Sequence, residues 1–194
     1  MILIDPNGQG ITPSVTFEEF TRATHVDGDD DRLSIEAYLL AAQGIVETGT
    51  RRPLTRRTMR FEFEIHRAGE FQAWFFPIAP VSEVLKVSAW SMDDGDVEIA
   101  PGEYALVRGF DEPKLCFSWS AMSDLSGAGL GKVEAEIGYD DSYNSGELKQ
   151  AIILIAKEWY DQDVSIGEAE EFRLSFGSKS IIKQKRYYRP CEFG

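Results

Sequence analysis

The feature that most limits how this chain can fold is a double change of hydrophobic period along its length. Between residues 30 and 49 the apolar side chains recur at helical spacing: Leu33, Ala37, Leu40 and Gly44 form one stripe, and Ile35, Leu39, Ala42 and Val46 form another. After Pro53 the period drops to two. Met59, Phe61, Phe63 and Ile65 alternate with Arg60, Glu62, Glu64 and His66, the pattern of a strand with one face in water. Helical spacing returns from Glu147 to Tyr160, where Leu148, Ile152, Ile155 and Trp159 share a stripe and Ser145 can cap the start. Helices and strands with this order belong in separate layers, the late helix packing on the early one and the strands forming an antiparallel layer of their own.

Local signals mark the ends of these segments. Thr16-Phe-Glu-Glu19 is a capping box that predicts a helix over 17–25, the Asp27 to Asp31 run breaks it, and Asp30 or Asp31 can cap the second helix, which Gly49 should stop. Further strands are predicted at 71–76, 84–90, 104–107, 114–119 and 132–139, with turn chemistry at Asp93-Asp-Gly95 and Pro101-Gly102. The predicted class is α+β: a small α-helical bundle from the N-terminal helices and the late long helix, an inserted antiparallel β region, and an extended C-terminal tail. The corresponding divisions are 1–54, 55–140, 141–163 and 164–194, with Leu40, Ile152 and Trp159 expected in the bundle core. Two apolar faces on the 30–49 helix suit either packing against a neighbouring subunit or the centre of one monomeric bundle.

Composition removes several function classes. With 43% hydrophobic residues in 194, the chain can build a core. No run is long and apolar enough to span a bilayer, and the start MILIDPNG lacks the basic and apolar regions of a secretion signal, so synthesis in the cytoplasm is expected. Cys116 and Cys191 have no metal or disulfide-framework spacing, and we place Cys116 in the core and Cys191 in the tail. His25 and His66 read as surface residues. Asp27, Asp29 and Asp31 mimic a calcium loop, but Arg32 and Tyr38 stand where glycine and the bidentate glutamate are required. Gly127-Ala-Gly-Leu-Gly-Lys132 mimics a phosphate loop, yet Ser126 and Val133 occupy the positions of its first glycine and its magnesium ligand. No local pattern selects a pair of carboxylates for acid–base work. No catalytic residue, metal or cofactor is therefore expected.

Charge singles out one segment. The net charge of −13 disfavours phosphate binding by the whole surface, while residues 174–194 hold five cations and one carboxylate. Residues 161–178, with Gly167, Gly177, Glu168, Glu170 and Glu171, read as a mobile connection to that segment. Within it Lys179, Lys183, Lys185, Arg186 and Arg189 are interleaved with Ile181, Ile182, Tyr187 and Tyr188, poor choices for a segment meant only to stay in water. The reading is a docking tail, hinged at Gly177, poorly ordered alone and removable without unfolding the body. Basic and aromatic residues also grip single-stranded nucleic acid, but the acidic body favours a protein partner.

The order of these features resembles phage head-tail connector proteins. Val15-Thr-Phe-Glu-Glu-Phe20, His25-Val-Asp-Gly-Asp-Asp-Asp31 and Glu47-Thr-Gly-Thr-Arg-Arg-Pro-Leu54 are similar to the opening of that family. Phe76-Pro-Ile-Ala-Pro-Val-Ser-Glu-Val84 is similar to the start of its strand region, and Tyr139 to Tyr160 to its last long helix, with Ser145-Gly146 where the family often has proline. The resemblance covers residues 15–160 and implies a homo-oligomeric ring, commonly a dodecamer, at the head-tail junction of a phage or gene transfer agent particle. Its implied partners are the portal protein above, engaged through the C-terminal segment, and a tail-side stopper or terminator protein below. DNA would pass through the ring without sequence-specific binding, and acidic channel walls would keep it sliding. The competing readings are a DNA-binding packaging factor acting through the basic tail and a wall-degrading tail enzyme.

Overall fold

The computed structural model describes residues 2–4, 10–26, 29–64, 73–92, 95–109, 112–126, 129–140, 146–162 and 174–190. In chain order the elements are β1 (Ile2–Ile4), α1 (Phe17–Thr24), α2 (Arg32–Thr50), β2 (Arg57–Glu64), β3 (Ala73–Phe75), β4 (Val81–Ser91) and β5 (Gly95–Glu98). A 3-10 turn (Pro101–Glu103), β6 (Tyr104–Val107), β7 (Lys114–Phe117), α3 (Trp119–Ser126), β8 (Leu130–Ile137), α4 (Gly146–Asp161) and α5 (Phe176–Lys185) follow. Helices and antiparallel sheets are both present, so the class is α+β as the period changes predict. Ile65, His66, the first residues of the 71–76 strand, Asp93-Asp94, Ser145, the acidic connection around Gly167 and Cys191 lie outside the described residues.

The chain forms two compact units, one from Met1–Gly10, Arg56–Asp140 and Tyr188–Gly194, the other from Ile11–Thr55 and Asp141–Tyr187. In the helical unit the Thr16 hydroxyl accepts from the Glu19 N–H at 3.1 Å, and the Glu19 carboxylate accepts from the Thr16 N–H at 2.9 Å, so the capping box forms in full. α2 buries Ile35, Tyr38, Leu39, Ala42 and Val46 against the α4 stripe of Leu148, Ile152, Ile155 and Trp159, and Tyr38 meets Trp159 edge-on at 6.2 Å. Leu40, expected in this core, is instead 43% exposed, because it lies one residue, about 100° of helix, off the buried line through Leu39. Gly49 does not stop α2. The helix runs to Thr50 and ends at Arg51, in the left-handed region at φ 57°. Asp31 occupies the cap position of α2 without a capping hydrogen bond, and its carboxylate accepts from the Tyr160 hydroxyl at 2.8 Å.

In the sheet unit the five-stranded order is β1-β2-β8-β4-β5 and the three-stranded order is β3-β7-β6, with every pairing antiparallel. Alternation does what period two requires: Met59, Phe61 and Phe63 of β2 and Val133, Ala135 and Ile137 of β8 face one core with Trp74, Phe76 and Leu115. Phe63 stacks on Trp74 at 4.9 Å, and Phe61 meets Phe76 edge-on at 5.5 Å. The glycine-rich segment that mimics a phosphate loop supplies Gly131 within β8, where the Phe63 ring lies over the backbone. β1, β5 and α3 are not signalled by the sequence, and α3 takes Trp119 out of the strand predicted over 114–119. Cys116 is half-buried, with Leu115 turned to the core in its place.

Candidate functional site

The segment singled out by its charge is not extended. Ser175 caps α5 by accepting from the Ser178 N–H at 3.3 Å, and Gly177 lies in the first turn instead of forming a hinge. Ser178 is buried, Ile181 and Ile182 are half-buried, and Ile182 reaches α2 at Gly49, where a Cβ would stand 2.7 Å from the Ile182 Cγ2. Beyond the helix the Tyr187 N–H donates to the Thr50 carbonyl at 2.7 Å and its side chain is only 3% exposed. Arg52 Nε donates to the Lys185 carbonyl at 2.7 Å, and the Lys185 ammonium pairs with Glu147. The expected free tail is thus corrected over residues 176–187. Adjacent isoleucines plus Lys185 four residues on form a helix face that mimics alternation in so short a segment, and acidic partners absent from the segment itself are supplied by α4.

The nine residues predicted to act together separate into classes. Lys179 and Lys183 are exposed four residues apart, on the outer side of α5 with Phe176, which is 88% exposed, and Arg186, also exposed, follows the end of the helix. Among the described residues Lys179 and Lys183 have no ion-pair partner. Ile181, Ile182 and Tyr187 turn inward and Lys185 is engaged. Tyr188 and Arg189 belong to the sheet unit, where Tyr188 is exposed and the Arg189 guanidinium lies 5.7 Å from the Trp74 ring centre. Sequence reasoning missed Phe176, although Ser175 and Ser178 carry the signature of a helix start just beside it. What remains outward is a cationic stripe with one aromatic group, suited to carboxylates bordering an apolar recess.

Elsewhere several of the described charged groups pair with one another. Across the outer face of the five-stranded sheet Arg60 pairs with Glu134 at 2.6 Å, Lys86 with Glu98 at 3.0 Å and Lys132 with Asp96 at 2.8 Å. Lys132, the residue a phosphate loop would offer to a nucleotide, is spent on a cross-strand bridge. In the helical unit Gln43 accepts from the Ser14 N–H and donates to the Thr12 carbonyl and to Glu47, whose carboxylate also accepts from the Leu54 N–H at 2.8 Å. This buried network clamps residues 12–14 and 54 to α2. Among the described residues no group of three or more His, Cys, Asp or Glu side chains could hold a metal ion, and no helix is long and apolar enough to cross a membrane.

No protein-family model matches the chain, and no curated protein matches it significantly. Solved structures do. The chain is similar, at 20% identity and a TM-score of 0.69 over 98% of its length and 97% of the other's, to a chain in the neck of an empty gene transfer agent particle computed with C6 symmetry. It is similar at 21% identity and a TM-score of 0.67, over 100% of its length and 98% of the other's, to a chain in the neck of the native particle computed with C12 symmetry. A third match, at 20% identity and a TM-score of 0.69, is to a chain of the native gene transfer agent virion, over 100% of this chain and 99% of that one. The fold is therefore shared from end to end with components of that neck.

Proposed function

We propose that this chain is a structural head-tail connector: an adaptor subunit that joins copies of itself into a ring, a dodecamer, between the portal and the tail of a phage-like particle of the gene transfer agent kind. The observation that carries this reading is the end-to-end fold shared with chains of gene transfer agent particles, two of them from the neck, covering 97–100% of both partners in each comparison. The ring geometry is supported by the twelvefold symmetry with which one such neck was computed. In this reading the protein works by binding and positioning, without catalysis. The outer stripe of α5 docks on acidic groups of the portal protein, a tail-side stopper or terminator protein seats below, and the particle is its place of residence. Acidic side chains toward the channel repel phosphate and let DNA pass.

The test is complementation of particle-producing cells that lack this gene. Wild type should restore tailed particles, whereas Lys179→Glu combined with Lys183→Glu, on the solvent side of α5, should fold with an unchanged melting curve yet leave DNA-filled heads without tails. Tails restored by the double variant would remove α5 from the portal contact, and tailed particles without the gene would remove the connector reading. The packaging-factor reading makes a different demand. The two outward cations of α5 and the exposed Arg186 beyond its end are few, and the whole chain has a net charge of −13, so binding to DNA should vanish at physiological salt. DNA binding that persists there and is lost in the double variant would favour the packaging factor.

A further inference from the structure

The solvent side of α2 is largely apolar and, from Ala37 on, carries no exposed charge. Leu33 is 83% exposed and Leu40 43% exposed, and Ala37, Ala41, Gly44 and Ile45 fill the same side at helical spacing. From Ala37 to the end of the helix the only charged residue is Glu47, and it is turned inward onto Gln43 and Leu54. In a chain where 27% of residues are charged, three turns of exposed helix thus carry none.

Gly44 adds an independent observation. A Cβ built there meets nothing within 4 Å, and its φ is ordinary, so nothing inside the subunit requires glycine. Gly49, five residues on, has its reason in Ile182. A glycine in a helix interior costs about 1 kcal/mol relative to alanine. Such a position is explained when another backbone approaches closely from outside.

Resting on the ring reading above, we infer that this side of α2, centred on Leu40 and Gly44, is the surface against which the next copy of the same chain packs. Bodies of net charge −13 repel, so copies approach at least electrostatic cost through an uncharged face. Cyclic symmetry makes the contact heterologous: the α2 face meets a different surface of its neighbour, and the pairing propagates until the ring closes.

The experiment is sedimentation velocity of the full chain over a series of salt concentrations, with Gly44→Glu beside wild type. Wild type should form species larger than dimers as salt rises. Gly44→Glu has open space in the subunit and should melt no lower than wild type, yet associate about tenfold more weakly or worse, since an unpaired carboxylate would be buried in the contact. Leu40→Gln, at an exposed position, is a second variant read in the same way. If both variants fold and associate like wild type, the α2 face is not the contact, although the ring reading stands. If wild type itself stops at a dimer or stays monomeric at every salt concentration, the second copy as occupant and the ring reading fall together.

Discussion

At Gly131 a Cβ would stand 2.3 Å from Cζ of Phe63, a ring already stacked on Trp74, so a methyl group there must displace an aromatic cluster. We expect Gly131→Ala to lose about 1–3 kcal/mol by chemical denaturation, the range for overpacking a core. Gly44→Ala should do the reverse and raise the melting temperature, because it adds helix propensity in open space. Glu19 gives a pH signature. Partial burial raises its carboxyl, but hydrogen bonding to the Thr16 N–H and pairing with Lys149 outweigh burial and hold it below the ordinary value. A group whose pKa is depressed on folding contributes stability above its unfolded value and loses it as pH falls through the folded one. Glu19→Gln keeps a capping acceptor but does not titrate, so its melting temperature should fall less steeply than that of wild type below about pH 4.5.

At the scale of elements, α5 is a strut of the bundle as much as a proposed binding surface. Tyr187→Ala should cost about 3–5 kcal/mol, as for other large buried aromatics, and truncation before Ser175 should lower the unfolding midpoint of the helical unit. An unchanged midpoint on truncation would restore the free-tail picture. What the sequence made legible follows from interaction range. The α1 cap, α2, α4 and the alternation of β2 rest on contacts between near neighbours, and their residues announce them. The docking of α5 rests on Gly49, Thr50, Arg52 and Glu147, residues far away in the chain that no local pattern connects to it. Of the candidate site, the cations were legible by composition, but which of them face outward was decided by the helix that Ile181 and Ile182 anchor.

At the scale of the whole molecule, the proposed ring would have its timing set by the balance between an acidic body and an uncharged helix face. Raising salt screens the repulsion and leaves apolar contact intact, so light scattering should report larger species at high ionic strength and monomers at low. Tight rings of constant size at low salt would show that the charge does not govern assembly. The division into two units has a further consequence for how the molecule comes into being. The chain passes between the units four times, so α2 leaves the ribosome long before α4 and α5, the helices it packs against. Until residues 146–187 have been made, α2 has only α1 and the clamped residues 12–14 and 54 as inner partners, and the face it turns to α4 and α5 stays uncovered. In the proposed ring, a ribosome that stops early would therefore release a chain without a finished edge, and completion of synthesis would act as the licence for assembly.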